Sequence, residues 1–262
     1  MAPAFEALRW NVESGVATIT RDRPAALNSL DATLKRDLLA AVREAGRDPG
    51  VRAVVLTGAG RAFCAGQDLN ERLQPEATPL DVEVRERFNP IVAAIRSLDK
   101  PVIAAVNGVA AGAGSSLALA CDLRIAADTA SFVLAFGRIG LVPDSGATWL
   151  LPRLIGAGRA AELMLLPDPL PAAEALRIGL VNRVVPAAEL PAAVGAMAAT
   201  LAAAAPRALA LTKRALRQAL EAGFEATLDY EASLQGIAGR TDDHAEGLAA
   251  FVEKRPPRFS GS

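Results

Sequence analysis

Asp144 is a carboxylate set among apolar neighbours, with Leu141, Val142 and Pro143 before it and Trp149-Leu150-Leu151 after it. Such surroundings disfavour the charged form, so the pKa rises and the group can take up and return protons nearer neutral pH. Pro143-Asp144-Ser145-Gly146 is also a good helix start, and on these residues alone a cap at Asp144 or Ser145 for a helix from about Gly146 is the stronger reading. Two glycine-rich turns, Ala65-Gly66-Gln67-Asp68 and Gly108 to Ser116, each follow a hydrophobic strand pattern. The second runs into a helix pattern (Leu117, Leu119, Ala120), so free N–H groups and the positive end of the helix dipole face whatever occupies the turn. One such donor aimed at a developing oxyanion is worth about 10²–10³ in rate. Composition alone favours a plainer role for these glycines, tight strand-to-helix packing.

Other chemistries find little support. Gly58-Ala59-Gly60 follows a strand but lacks the third glycine and the helix of a dinucleotide loop, and there is no Gly-Lys-Ser/Thr phosphate loop. The single histidine, His244, beside Asp242 and Asp243, reads as a solvated surface residue. One histidine and two separated cysteines do not make a zinc site, and a serine triad has no base to orient it. Cys64 reads as a small buried core thiol.

The elements that must position these groups are drawn from 262 residues, 52% of them hydrophobic, enough for one large core. Lys plus Arg (28) nearly balance Asp plus Glu (29), which gives no overall attraction to nucleic acid or an acidic membrane. Two cysteines and no evident leader point to the cytoplasm. Pro101 to Cys121 is uncharged but rich in Ala, Gly and Ser, so a buried strand, turn and helix are expected there, not a membrane span. A hairpin is expected over residues 7–20 around Glu13-Ser14-Gly15, then a helix capped by Asp31 and running to about Gly46, then a strand from Val51 to Thr57. A loop from Gly58 to Pro79, a helix over 81–98 and a strand from Val102 to Val106 form a second cycle. Leu123 to Ala126 and Ser131 to Leu134 suggest a third. From Ala157 the pattern is almost wholly helical, with helices near 187–204, 206–222, 224–237 and 242–253 whose apolar faces need a covering surface, such as a neighbouring subunit. The stiff turn Pro167 to Pro171 is expected where the core gives way to this tail.

In this order the motifs resemble the crotonase (enoyl-CoA hydratase/isomerase) superfamily over nearly the whole chain. The resemblance rests on residues 61–69 (RAFCAGQDL), 100–108 (KPVIAAVNG), 117–122 (LALACD), 140–143 (GLVP), 172–181 (AAEALRIGLV) and 251–255 (FVEKR). It implies an α/β superhelix of repeated strand-strand-helix units, divided into an acyl-CoA-binding core (1–195) and a C-terminal helical trimerisation region (196–262). It further implies an acyl-CoA substrate, a homotrimer or hexamer, and other enzymes of the same pathway as further partners. Coenzyme A would enter with the substrate, with no separate cofactor and no metal. The family polarises the thioester carbonyl with two backbone N–H groups, which fall on Gln67 and Ala113. Arg61, Ala65, Asp68, Leu69 and Lys254 are the implied coenzyme A contacts, and Ser116, Phe136 and Leu141 the implied acyl pocket.

The departures from the pattern narrow the reaction. Hydratases of the family carry glutamates at the positions held here by Ser116 and Phe136. Without them the chain lacks both a group to activate water and one to manage the proton at C2. Asp144 stands where isomerases of the family use a single carboxylate, and the resemblance turns its reading from cap to base. Residues 109–114 (VAAGAG), Pro143-Asp144 and 148–153 (TWLLPR) most resemble the phenylacetate-degradation branch, which implies conversion of ring-1,2-epoxyphenylacetyl-CoA to oxepin-CoA. The alternatives are a Δ3,Δ2-enoyl-CoA isomerase of fatty-acid oxidation, a non-catalytic scaffold paralogue, and a thioesterase or decarboxylase of the same superfamily.

Overall fold

The computed structural model describes residues 4–262. The hairpin forms as expected, with β1 (Leu8–Glu13) pairing β2 (Val16–Arg21) across a two-residue turn. Ser14 and Gly15 both have positive φ there, 50° and 79°, which matches the twist of a tight hairpin. Asp31 caps α1 (Ala32–Arg47) by accepting the Leu34 N–H at 2.8 Å.

Three successive strand-strand-helix units follow. The first has β3 (Ala53–Gly58), β4 (Ala62–Cys64) and the helices α2 (Leu69–Arg72), α3 (Leu80–Glu83) and α4 (Asn89–Ser97). The second has β5 (Val102–Val106), β6 (Val109–Ala111) and α5 (Ala113–Ala120). The third has β7 (Leu123–Ala127), β8 (Ser131–Val133), α6 (Ala147–Ile155) and α7 (Ala157–Leu165). In each unit the first strand joins one sheet and the second joins another. The six-stranded sheet runs β1-β2-β3-β5-β7-β10 and the four-stranded sheet β4-β6-β8-β9, where β9 is Leu170–Pro171 and β10 is Arg183–Val185. From β2 onward the larger sheet is parallel, and β3 and β5 are buried almost throughout, as a parallel sheet covered on both faces requires.

Several expectations are corrected. The stretch 58–79 is not simply a loop, because it contains β4 and α2. The helix expected over 81–98 is divided by a π-helical turn at Val84–Phe88. Pro90 has no N–H to donate and its ring crowds the preceding turn, so the winding loosens just before it, and Asn89 N–H reaches back to the Val84 carbonyl. The chain after Ala157, expected to be almost wholly helical, also carries two short strands, β9 and β10, which return to both sheets around α8 (Ala172–Arg177). Pro167 to Pro171 therefore does not mark the end of the core. The division at 195/196 falls inside one continuous helix, α9 (Leu190–Ala203), whose Leu190, Val194 and Ala198 belong to the main core. The helices that leave the core are α10 (Pro206–Ala219), α11 (Phe224–Ala238) and α12 (Asp242–Glu253). Pro101 to Cys121 folds as strand, strand and buried helix, and no single helix among the described residues is long and apolar enough to cross a membrane.

Candidate active site

The two glycine turns are pressed together by backbone contact. Gly66 has φ +90°, and a Cβ there would lie 2.8 Å from the Ala111 carbonyl oxygen and 3.4 Å from the Ala113 nitrogen. A Cβ on Gly114 would lie 2.1 Å from the Cys64 carbonyl oxygen, so the start of α5 rests directly on the end of β4. Asn107 and Asn28 hold the preceding bend: Asn107 Nδ2 donates to the Gly58 and Gly60 carbonyls, and Asn28 Nδ2 to those of Ala59 and Ala62. Among the described residues, neither the Gln67 nor the Ala113 N–H donates to an acceptor within the chain. Two free donors thus stand side by side on the wall of one cavity.

That cavity holds about 430 Å³ and collects Ala65, Gln67, Leu69, Ala113, Phe136, Leu141 and Asp144 from the expected set. The rest of its wall is largely apolar: Leu80, Val84, Phe88, Ala135 and Ile139, with Arg72 and Arg138 also present. The Phe136 ring tip stands against Gly112, at 3.9 Å from where a Cβ would be, and so covers the turn beside the Ala113 donor with an apolar surface.

Asp144 is not a cap. The residue preceding α6 is Gly146, and no side chain among the described residues caps that helix. Ser145 and Gly146 have positive φ, 53° and 80°, and these two left-handed residues separate Asp144 from the helix axis. The Asp144 carbonyl accepts the Ala147 N–H at 3.0 Å and the Ser116 hydroxyl at 3.1 Å, which fixes its backbone. Its carboxylate accepts the Ser145 hydroxyl at 2.8 Å on Oδ1 and forms no ion pair among the described residues. Burial pushes the Asp144 pKa above the ordinary carboxylate value, and the Ser145 hydrogen bond offsets part of that rise.

Four expected contacts are placed elsewhere. Ser116 is fully buried and does not line the cavity; it stands behind Asp144 and holds its carbonyl. The Asp68 carboxylate is occupied by Arg23 at 2.8 Å, by the Ser29 hydroxyl and by the Asn70 N–H at the start of α2, and these bonds outweigh burial to keep its pKa low. Arg61 and Lys254 are exposed and lie outside the cavity of this chain. His244 is exposed at the start of α12, and Cys64 and Cys121 are buried free thiols with raised pKa, that of Cys121 at about 12, so none of the three shares the site. Reasoning from sequence missed Glu83, which reaches the cavity wall but is paired with Lys35 and with Arg87 at 3.1 Å. A signal existed. Lys35 sits on the buried stripe of α1 beside Leu34 and Leu38, where a lysine needs a partner.

A cavity with two adjacent N–H donors and one unpaired carboxylate can stabilise an enolate oxygen and move a proton. Residues 11–262 match the family described as Enoyl-CoA hydratase/isomerase, and the chain belongs to this family, within the crotonase superfamily whose fold it shares. It is 44% identical over 260 residues to the 1,2-epoxyphenylacetyl-CoA isomerase of Escherichia coli, covering 98% of this chain and 99% of that one. It is 45% identical over 258 residues to a Rhodobacter capsulatus protein named probable enoyl-CoA hydratase, covering 98% and 99% respectively. The crystal structure of enoyl-CoA hydratase from Bacillus anthracis superposes with a TM-score of 0.92 at 36% identity, over 98% of this chain and 100% of that chain.

Proposed function

We propose that this enzyme is an acyl-CoA isomerase in which Asp144 alone removes a proton beside the thioester carbonyl and returns it further along the conjugated system. The preferred substrate in this reading is ring-1,2-epoxyphenylacetyl-CoA, converted to oxepin-CoA, with the 3-enoyl to 2-enoyl shift as the closest alternative. The observation that carries it is the unpaired Asp144 carboxylate of the cavity, half-buried and with a raised pKa, opposite no second free acid or base among the described residues. Ser116 and Phe136 supply no carboxylate to hold a water, and the Phe136 ring occupies space against the donor turn. The likeness to the Escherichia coli isomerase supports the same reading.

In this mechanism the Gln67 and Ala113 N–H groups take the thioester oxygen as it gains charge, and one carboxylate suffices because the proton that leaves is the proton that returns. No atom is gained or lost. The residues call for no metal or redox cofactor, and coenzyme A arrives as part of the substrate. Arg61 is proposed to meet the coenzyme A phosphates or adenine end, with Lys254 brought in from the helical tail of a second copy. Assembly as a trimer or hexamer would cover the apolar residues the tail leaves exposed, among them Leu216, Phe224, Phe251 and Val252, with Phe251 84% exposed.

The test is turnover of ring-1,2-epoxyphenylacetyl-CoA and of a 3-enoyl-CoA, followed in the ultraviolet with product masses determined. Products of unchanged mass, with the epoxide turned over at the higher kcat/KM, are expected. A product heavier by one water from an enoyl-CoA would overturn the isomerase reading, and free coenzyme A or carbon dioxide would point to a different reaction of the superfamily.

A further inference from the structure

A buried ionic cluster stands behind the oxyanion turn. Lys35, on α1, is only 2% exposed, and its ammonium donates to Glu71 Oε2 at 2.9 Å, to Gln67 Oε1 at 3.4 Å and to Glu83 Oε1. The other end of the Gln67 amide is held too, its Nε2 donating to Glu71 Oε2 at 3.0 Å and to the Asp68 carbonyl at 3.3 Å. Glu71 is itself fixed by the Ala32 N–H at 2.6 Å. Glu83 is as deeply buried as Lys35, and the ammonium also lies 5.1 Å from the centre of the Phe88 ring.

Burying such charges removes their hydration, and an apolar pair of the same volume is often as stable or more so. Stability therefore does not account for the cluster. What three directed ammonium donors provide is position: they tie α1, the acyl-pocket wall at Glu83 and the side chain of Gln67 to one point. Gln67 is gripped at both ends of its amide, so its peptide, and the direction of its N–H, are fixed with it.

We propose that Lys35 is a positioning residue that, through the Gln67 side chain, sets the aim of the Gln67 N–H at the thioester oxygen. This rests on the oxyanion role of Gln67 and does not depend on which isomerisation the enzyme performs. A displacement of about 1 Å at a reacting group costs on the order of a hundredfold in rate, so a loosened Gln67 peptide acts on kcat with little effect on affinity.

The experiment is difference infrared spectroscopy of phenylacetyl-CoA, labelled with carbon-13 at the thioester carbonyl, bound to wild type, Lys35→Met and the apolar double variant Lys35→Met/Glu83→Leu. The double variant leaves neither member of the closest pair buried without its partner. In wild type the carbonyl band is expected at lower frequency bound than free, as two hydrogen bonds polarise it. In either folded variant at least half of that shift is expected to disappear, with kcat down by about a hundredfold, and in Lys35→Met affinity stays near wild type. A full carbonyl shift in a folded variant would overturn the role of Lys35. Absence of any shift in wild type would overturn it at an earlier step, by removing the oxyanion role of Gln67 and Ala113 on which the proposed mechanism also rests, whereas a full shift in a folded variant leaves that mechanism untouched.

Discussion

Replacing Asp144 by Asn should make the enzyme slower and its fold more stable at once. The side chains are nearly isosteric, and the Asn carbonyl oxygen can still accept the Ser145 hydroxyl now bonded at 2.8 Å. No ion pair is lost, because Asp144 has none among the described residues, so the substitution removes a charge that burial disfavours and little else. A general base contributes about 10²–10⁴ in rate, equivalent to about 3–5 kcal/mol of barrier. Stability follows the raised pKa: above it, the native state carries a poorly solvated carboxylate that the unfolded chain solvates fully. As pH falls the native protein binds its proton first, and below the ordinary carboxylate range both states are neutral. The advantage of the variant is therefore full at pH 8, shrinks as pH falls through the raised native pKa, and is gone by about pH 3. Urea titrations at pH 8 and pH 3.5, beside turnover, measure both effects. Wild-type turnover in the variant, or a variant less stable at pH 8, would refute the picture of an unpaired, partly desolvated base.

Ser145→Ala removes the hydrogen bond that offsets the burial of Asp144, so the acid limb of the pH–rate profile should move to higher pH, with a larger loss at pH 6 than at pH 8. Gly114→Ala places a Cβ 2.1 Å from the Cys64 carbonyl, which forces the two donor turns apart; a loss of at least about 1–3 kcal/mol in urea unfolding is expected, with a larger proportional fall in kcat than in affinity.

The parts of the fold written in local pattern were legible in the sequence. The Asp31 cap, the hairpin at Ser14-Gly15 and the buried strand Val102–Val106 each follow from neighbouring residues, and the tail helices begin within a few residues of their expected starts. The two-residue Leu170–Pro171 and three-residue Arg183–Val185 strands were not legible, because their pairing is decided by β8 and β7, far away in sequence. Asp144 shows how the two kinds of information differ. Its type and apolar neighbours were visible, yet Pro-Asp-Ser-Gly favoured a cap; the left-handed backbone at Ser145 and Gly146 decides against it, and Ser145 is a residue whose type gave no warning of positive φ. Ser116 was placed by resemblance in the pocket and lies behind it, since a shared position does not fix which way a smaller side chain faces. Lys35 and Glu83 were missed for a related reason: a charge on a buried stripe announces that a partner exists, but the partner's identity depends on the π-helical turn before Pro90, which sets the direction of the helix carrying Glu83. The residues proposed to do the chemistry stood out by type and spacing and took their roles from the resemblance, whereas those proposed to aim them emerge only from three-dimensional contact.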